Sequence, residues 1–212
     1  MRAKALALAT AAVLVVVTAG AGAGAGGANG SARKGHKHSA TKALWGKQIR
    51  KLAGPLAEAR VATAKYATDL DAALADGYRI ITPNIPDMGY HYLNPSITDF
   101  DVTRPQILVY QRDGNDFTLG ALEWVFPEKP KKKPLPGARY GSFGAACHYD
   151  DGTFVFEDTE TQCADTSPDT GSPFVFWHPD LVTMHVWLWH PNPHGLFSGT
   201  NRWVRPFNDD QV

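Results

Sequence analysis

Phe174-Val175-Phe176-Trp177-His178-Pro179-Asp180-Leu181-Val182-Thr183-Met184-His185-Val186-Trp187-Leu188-Trp189 reads as two strands turned at Pro179-Asp180. In the second strand a period of two puts Val182, Met184, Val186 and Leu188 on one face and Thr183, His185, Trp187 and Trp189 on the other. The first face is aliphatic core. The second mixes titratable chemistry with aromatic bulk, and a sheet built from such strands has something to hold on that side.

Upstream the same signals recur. From Tyr78 onward, aromatic and β-branched residues are punctuated by Pro, Gly and Asp, which predicts strands at 79–81, 89–93, 106–111, 117–126, 144–149 and 153–157. Asp113-Gly114-Asn115 and Asp150-Asp151-Gly152 each separate two of these runs and mark hairpins, so the sheet is mainly antiparallel. Before Tyr78 the pattern is helical: Trp45, Ile49, Leu52, Leu56, Ala59, Tyr66, Leu70 and Ala73 recur at steps near three and four. Gly54-Pro55 predicts a break, with one helix to about Ala53, a second opening on Pro55, and Gly77 as its stop. Residues 127–137, rich in Pro and Lys, and residues 158–172, acidic and Thr-rich, read as surface loops. The fold class is α+β, with N-terminal helical segments packed on a mainly antiparallel sheet or partial barrel.

The N-terminus has Arg2 and Lys4, an apolar run from Ala5 to Val17, and then small residues that repeat an Ala-Gly-Ala cleavage pattern, the features of a secretory signal peptide over 1–25. Thirteen apolar residues fall short of the roughly 20 that span a bilayer, so no permanent membrane anchor is expected. Residues 26–41 are small, polar and basic, a disordered leader in which His36 and His38 are solvated, and 42–212 form a single domain. Without Arg2 and Lys4, 19 basic residues stand against 21 acidic ones. This near-neutral balance offers no electrostatic case for nucleic acid. The expected location is secreted or extracytoplasmic, where the only two cysteines, Cys147 and Cys163, pair as one disulfide.

Several longer motifs accompany these signals: Ala62-Thr63-Ala64-Lys65-Tyr66, Asp76-Gly77-Tyr78, Met88-Gly89-Tyr90-His91-Tyr92-Leu93-Asn94-Pro95, Pro105-Gln106-Ile107-Leu108-Val109-Tyr110, Leu119-Gly120-Ala121-Leu122-Glu123-Trp124, and the 176–189 run followed by Asn192-Pro193-His194-Gly195-Leu196-Phe197. Together they resemble a family of exported bacterial proteins of unknown function, common in actinobacteria. The resemblance implies export without implying a mechanism. Its members tend to carry Asn-Pro near the end where this chain has Asn201-Arg202, which argues against a chemical role for the final turn.

Glu123 is the most anomalous polar residue. Its strand face carries Phe117, Leu119, Ala121 and Val125, and the opposite face is also largely apolar. A carboxylate buried there costs several kcal/mol unless it finds a histidine, arginine, tyrosine or metal, or takes up a proton. His91 shares its face with Gly89, which leaves room beside the imidazole, and His178 and His185 lie on the two strands of the opening segment. His91, His178, His185 and Glu123 compose a His/carboxylate set suited to Zn, Fe, Cu or Ni. No HxH or HExxH spacing accompanies it, and the competing reading has each histidine bonded to buried backbone or to Glu123. His190 and His194 flank a turn and rank lower, and His148 beside Cys147 reads as a surface residue.

The aromatics Tyr90, Tyr92, Trp177, Trp187 and Trp189 suggest either a pocket for a sugar ring or small apolar ligand, or a second core layer under the helices. No GxSxG motif or Gly-rich phosphate loop is present. Asp99, Asp101 and Glu123 show no readable pairing for glycosidase chemistry. The leading expectation is an exported protein that binds a small ligand through Tyr90, His91, Glu123, His185, Trp187 and Trp189, with metal assistance an open question. A metal-dependent enzyme using the same residues is the alternative, and an envelope structural or oligomerising protein the second alternative.

Overall fold

The structure, a computed structural model, describes residues 39–208, with side chains from position 46 onward. The segment read as a signal peptide, most of the expected leader with His36 and His38, the side chain of Trp45 and residues 209–212 lie outside the described residues. The elements are α1 (Ser39–Thr63), α2 (Leu70–Ala75), β1 (Arg79–Ile85), β2 (Gly89–Leu93), β3 (Ile107–Asp113), β4 (Asp116–Phe126), β5 (Gly141–Phe143), β6 (Ala146–Tyr149), β7 (Phe154–Phe156), β8 (Phe174–His178) and β9 (Leu181–Val186). The last part of the predicted leader, 39–41, is already helical. None of the helices among the described residues is long and apolar enough to cross a membrane.

Two antiparallel sheets result: a curled six-stranded one in the order β1-β2-β3-β4-β9-β5, and a three-stranded one in the order β7-β6-β8. Both predicted hairpins form, β3 to β4 and β6 to β7. Pro179-Asp180 instead carries the chain from the small sheet to the large one, with Asp180 Oδ1 accepting the Ala145 N–H at 2.9 Å. β5 escapes the sequence reading because three residues, Gly-Ser-Phe, are too few to show a period.

The helical region departs from expectation at Gly54-Pro55, where α1 runs on without a break. Proline removes the bond to the carbonyl four residues back, that of Lys51. Lys51, Ala53 and Gly54 are all exposed, so the interrupted turn lies on the solvent side of the helix. The actual interruption follows Thr63, in a 3-10 turn over Ala64–Tyr66, after which Asp69 caps α2 by accepting the Ala72 N–H at 2.9 Å. There the helices are joined to the sheet: Ala67 O accepts the Leu119 N–H at 2.9 Å, and the Tyr110 hydroxyl donates to Tyr66 O at 3.0 Å.

Leu52, Ala59, Tyr66 and Ala73 pack with Tyr90, Tyr92, Leu108, Tyr110, Leu122, Trp124, Met184 and Val186 in the main core. The loop 127–137 is not wholly on the surface, since Leu135 is buried in that same core. The opposite face of the large sheet has a smaller apolar cluster of Ile107, Val109, Ala121, Trp187 and Val204. The tail closes over it: Asn201 is fully buried and caps the last 3-10 turn, accepting the Trp203 N–H at 3.1 Å and donating to Pro191 O at 3.0 Å.

A bulge at Gly120 alters the face assignment made from sequence. Val109 pairs with Ala121 but Tyr110 with Leu119, so one residue of β4 is unopposed. Leu119 and Phe117 therefore join Leu122, Trp124 and Phe126 on the helix side, and only Ala121 and Val125 flank Glu123. The carbonyl of Gly120 accepts the N–H groups of both Trp189 and His190 at 3.1 Å.

Gly89 does not provide room for the His91 imidazole. It adopts φ +110°, and a Cβ there would stand 2.2 Å from the Tyr110 carbonyl oxygen. A Gly89→Ala variant is expected to lose more than about 2 kcal/mol of stability, from the strained backbone and the overlap with β3. Urea denaturation of the variant checks this, and an unchanged midpoint would contradict the constraint.

Candidate functional site

The small sheet lies over the face of the large sheet that the helices leave uncovered, and a cavity of about 200 Å³ remains between them. Its walls come from β1 (Ile81, Thr82, Ile85), the large-sheet strands that carry His91, Glu123 and His185, and the small-sheet strands that carry His148, Phe176 and His178.

Glu123 and His185 are opposite one another on β4 and β9. Curling of the sheet brings His91 in from β2, although β3 intervenes in the strand order. His91 Nε2 is 3.6 Å from Glu123 Oε2, and His185 Nε2 is 3.4 Å from Glu123 Oε1. All three side chains are about 95% buried, and their ligand atoms lie within 4.8 Å of one another. The Thr82 hydroxyl, on the strand paired with β2, sits 2.8 Å from His91 Nδ1 and holds the ring so that Nε2 is turned to Glu123. The Thr183 hydroxyl bonds Glu123. His185 Nε2 is near enough to the carboxylate for an ion pair but not aligned for a hydrogen bond, and among the described residues it has no hydrogen-bond partner.

Burial governs protonation here. It pushes Glu123 up to about 8, with the Thr183 bond opposing in part. It lowers His185 to about 4, and burial together with the neighbouring His185 takes His91 down to about 3. In the metal-free state at neutral pH the trio is therefore two neutral imidazoles and a carboxyl group that keeps its proton. Neutral imidazole is the metal-binding form, and a cation beside Glu123 would displace that proton.

The other residues singled out from sequence divide differently. His178 does not join the trio; its Nε2 lies 3.0 Å from that of His148 in the small sheet, because β8 pairs with β6 rather than with β9. His148, read as a surface residue, is about 99% buried. Tyr90 and Tyr92 face the helix-side core, edge-on to Phe117, since they alternate with His91 along β2. Trp187 stays on the His185 side, its ring stacked 6.4 Å from the imidazole and its Nε1 donating to Ser198 O at 2.7 Å. Trp189 is on the far side, under α1, because β9 ends at Val186 and strand alternation ends with it. Its Nε1 donates to Thr63 Oγ1 at 3.1 Å, and the Arg60 guanidinium lies over its ring. Trp177 is tied by Nε1 to Glu157 O at 2.8 Å. Phe143 and Phe176 supply the aromatic lining of the cavity instead. No sequence signal separates these two from core residues.

No protein-family model matches this chain, and no similar curated protein or solved structure was found.

The raised pKa of Glu123 has a definite sign in stability. Folded Glu123 holds its proton up to about 8, against an ordinary value of 4.5, so its contribution is fully present below 4.5 and is lost as pH rises through 8. Metal-free Glu123→Gln has no such loss. Its stability advantage over the parent is expected to grow between pH 4.5 and 8, by at most about 1.4 kcal/mol per pH unit, and then to level off. Denaturant midpoints across pH 4.5–9 in the presence of chelator measure the gap; a pH-independent gap would refute the assignment.

Proposed function

We propose that this protein binds a divalent transition metal ion, zinc or iron in the first instance, through His91, Glu123 and His185, and presents it to a small apolar ligand in the adjoining cavity. The observation that carries this reading is the buried His185 Nε2, which has no hydrogen-bond partner among the described residues and converges with Glu123 and His91. The separations from Glu123, 3.4 and 3.6 Å, are long for hydrogen bonds and closer to the roughly 3–3.4 Å between ligands that share one ion at bonds near 2.0–2.1 Å. Two imidazoles and a carboxylate suit zinc or ferrous iron. Thr82 and Thr183 supply the outer hydrogen bonds that such ligands need.

Three protein ligands leave coordination positions open, whereas structural zinc sites close with four. At about 200 Å³ the cavity is somewhat larger than the roughly 150 Å³ that accommodates benzene, so the fitting ligand is an aromatic ring or a short aliphatic group with one polar atom for the metal. The open positions also favour a second reading, a metal-dependent enzyme acting on that same ligand. The Cys147–Cys163 disulfide supports an extracytoplasmic location, and with it membership of the exported family that the motifs resemble.

Elemental mass spectrometry of the untagged protein, isolated from an exporting host and also after equilibration with zinc or anaerobic ferrous iron, tests the reading. About one equivalent should be present in the parent and absent from a folded His91→Ala/His185→Ala variant. Equal metal in both proteins, or none after equilibration, would sink it.

A further inference from the structure

We propose that His148 and His178 form a second metal-ligating site, a bis-imidazole pair suited to copper(II), on the small-sheet wall of the cavity. It does not depend on the trio, which belongs to the large sheet.

The hydrogen bonds of the two rings carry the inference. His148 Nδ1 lies 2.7 Å from the Ile81 carbonyl oxygen, and His178 Nδ1 lies 2.7 Å from the Pro179 carbonyl oxygen. A carbonyl oxygen has no proton to give, so each Nδ1 must carry the hydrogen. In the neutral rings both Nε2 atoms are then bare acceptors, and these two acceptors stand 3.0 Å apart. The ring centroids are 5.0 Å apart, so the rings meet nitrogen to nitrogen rather than face to face. Two lone pairs at that distance repel unless an electrophile lies between or beside them.

A shared proton is one such electrophile, but it would put a full charge among Phe143, Phe154 and Phe176, the ring neighbours of His148. Among the described residues no carboxylate forms an ion pair with either histidine of this pair. Burial also lowers the proton affinity of His148, to about 4. A metal ion forms bonds to both nitrogens, which offset the loss of water. At metal–nitrogen bonds of about 2.0–2.1 Å, a 3.0 Å separation corresponds to an angle of about 91–97° at the ion; a tetrahedral centre needs about 3.3–3.4 Å. Near-right angles between nitrogen ligands are those of tetragonal copper(II) or nickel(II), and copper(II) binds more tightly. Both rings line the cavity, so water or the cavity ligand can complete the coordination. The Cys147–Cys163 disulfide anchors the residue next to His148 and so fixes one half of the pair.

The test uses the full chain in a His36→Ala/His38→Ala background, so that tail histidines do not take up metal. Copper(II) is titrated by equilibrium dialysis into four proteins: this parent, His91→Ala/His185→Ala, His178→Ala, and the combination. Circular dichroism establishes that each is folded, and His178, being only partly buried, is the residue of the pair that should tolerate truncation. The expected result is one copper equivalent retained in His91→Ala/His185→Ala, with paramagnetic resonance splitting from two imidazole nitrogens, and at least a tenfold weaker affinity once His178→Ala is added. No copper in His91→Ala/His185→Ala overturns the proposal, as does copper indifferent to His178→Ala, or ¹⁵N-histidine spectra at pH 7 that show one ring of the pair as imidazolium. Copper lost with His178→Ala but unaffected by His91→Ala/His185→Ala would uphold this site and leave the trio without metal. Loss only with His91→Ala/His185→Ala would do the reverse.

Discussion

The pairing of β4 with β3 on one side and β9 on the other holds this structure together. Its backbone groups are taken up by its neighbours, and both of its faces are covered: the helices lie over Leu122 and Trp124, and the small sheet closes the cavity lined by Glu123 and Val125. Strand alternation leaves Glu123 no route to solvent. A carboxyl group held there has to be answered locally, and the residue opposite it across the ladder is His185. The same strand anchors the rest of the chain, with Leu119 bonded to the end of the helices and the Gly120 carbonyl receiving the backbone beyond β9.

This arrangement puts the titratable groups on hydrogen-bonded strands. His91 and Glu123 stand within paired strands, His185 pairs with Glu123 one residue before the end of β9, and two threonine hydroxyls steady them. Preorganisation of that kind suits a ligand set, because little side-chain entropy remains to be lost when an ion arrives. The price is charge: in the absence of metal the trio stays neutral because the interior does not solvate ions. Among the described residues the helices contribute no group to this cavity; they cover the opposite face.

Much of the fold was legible along the chain. Both hairpins followed from their turn residues, the span of β2 from its aromatic residues, and the disulfide from two cysteines in a chain read as exported. The need of Glu123 for a partner was legible too, because a lone carboxylate among apolar neighbours on both faces is costly wherever it sits. Other readings failed for local reasons. Strict alternation fails at Gly120 and past Val186, where a bulge and a strand end interrupt it, so Leu119 and Trp189 lie on the sides opposite to those a period of two predicts. Pro55 reads as a helix break, yet α1 continues through it where the turn before it, at Lys51, Ala53 and Gly54, is exposed.

By itself, then, the sequence determined what local physics can encode: the helical and strand periods, the turns, the cross-link and the list of groups too polar to bury alone. Only the tertiary structure decided which of those groups meet. His178 and His185 are seven residues apart yet serve different sheets, while His91 and His185, 94 residues apart, share one carboxylate. Curvature of the sheet and the order of its strands set those distances, and both depend on how every strand packs against the others, which no window of sequence contains.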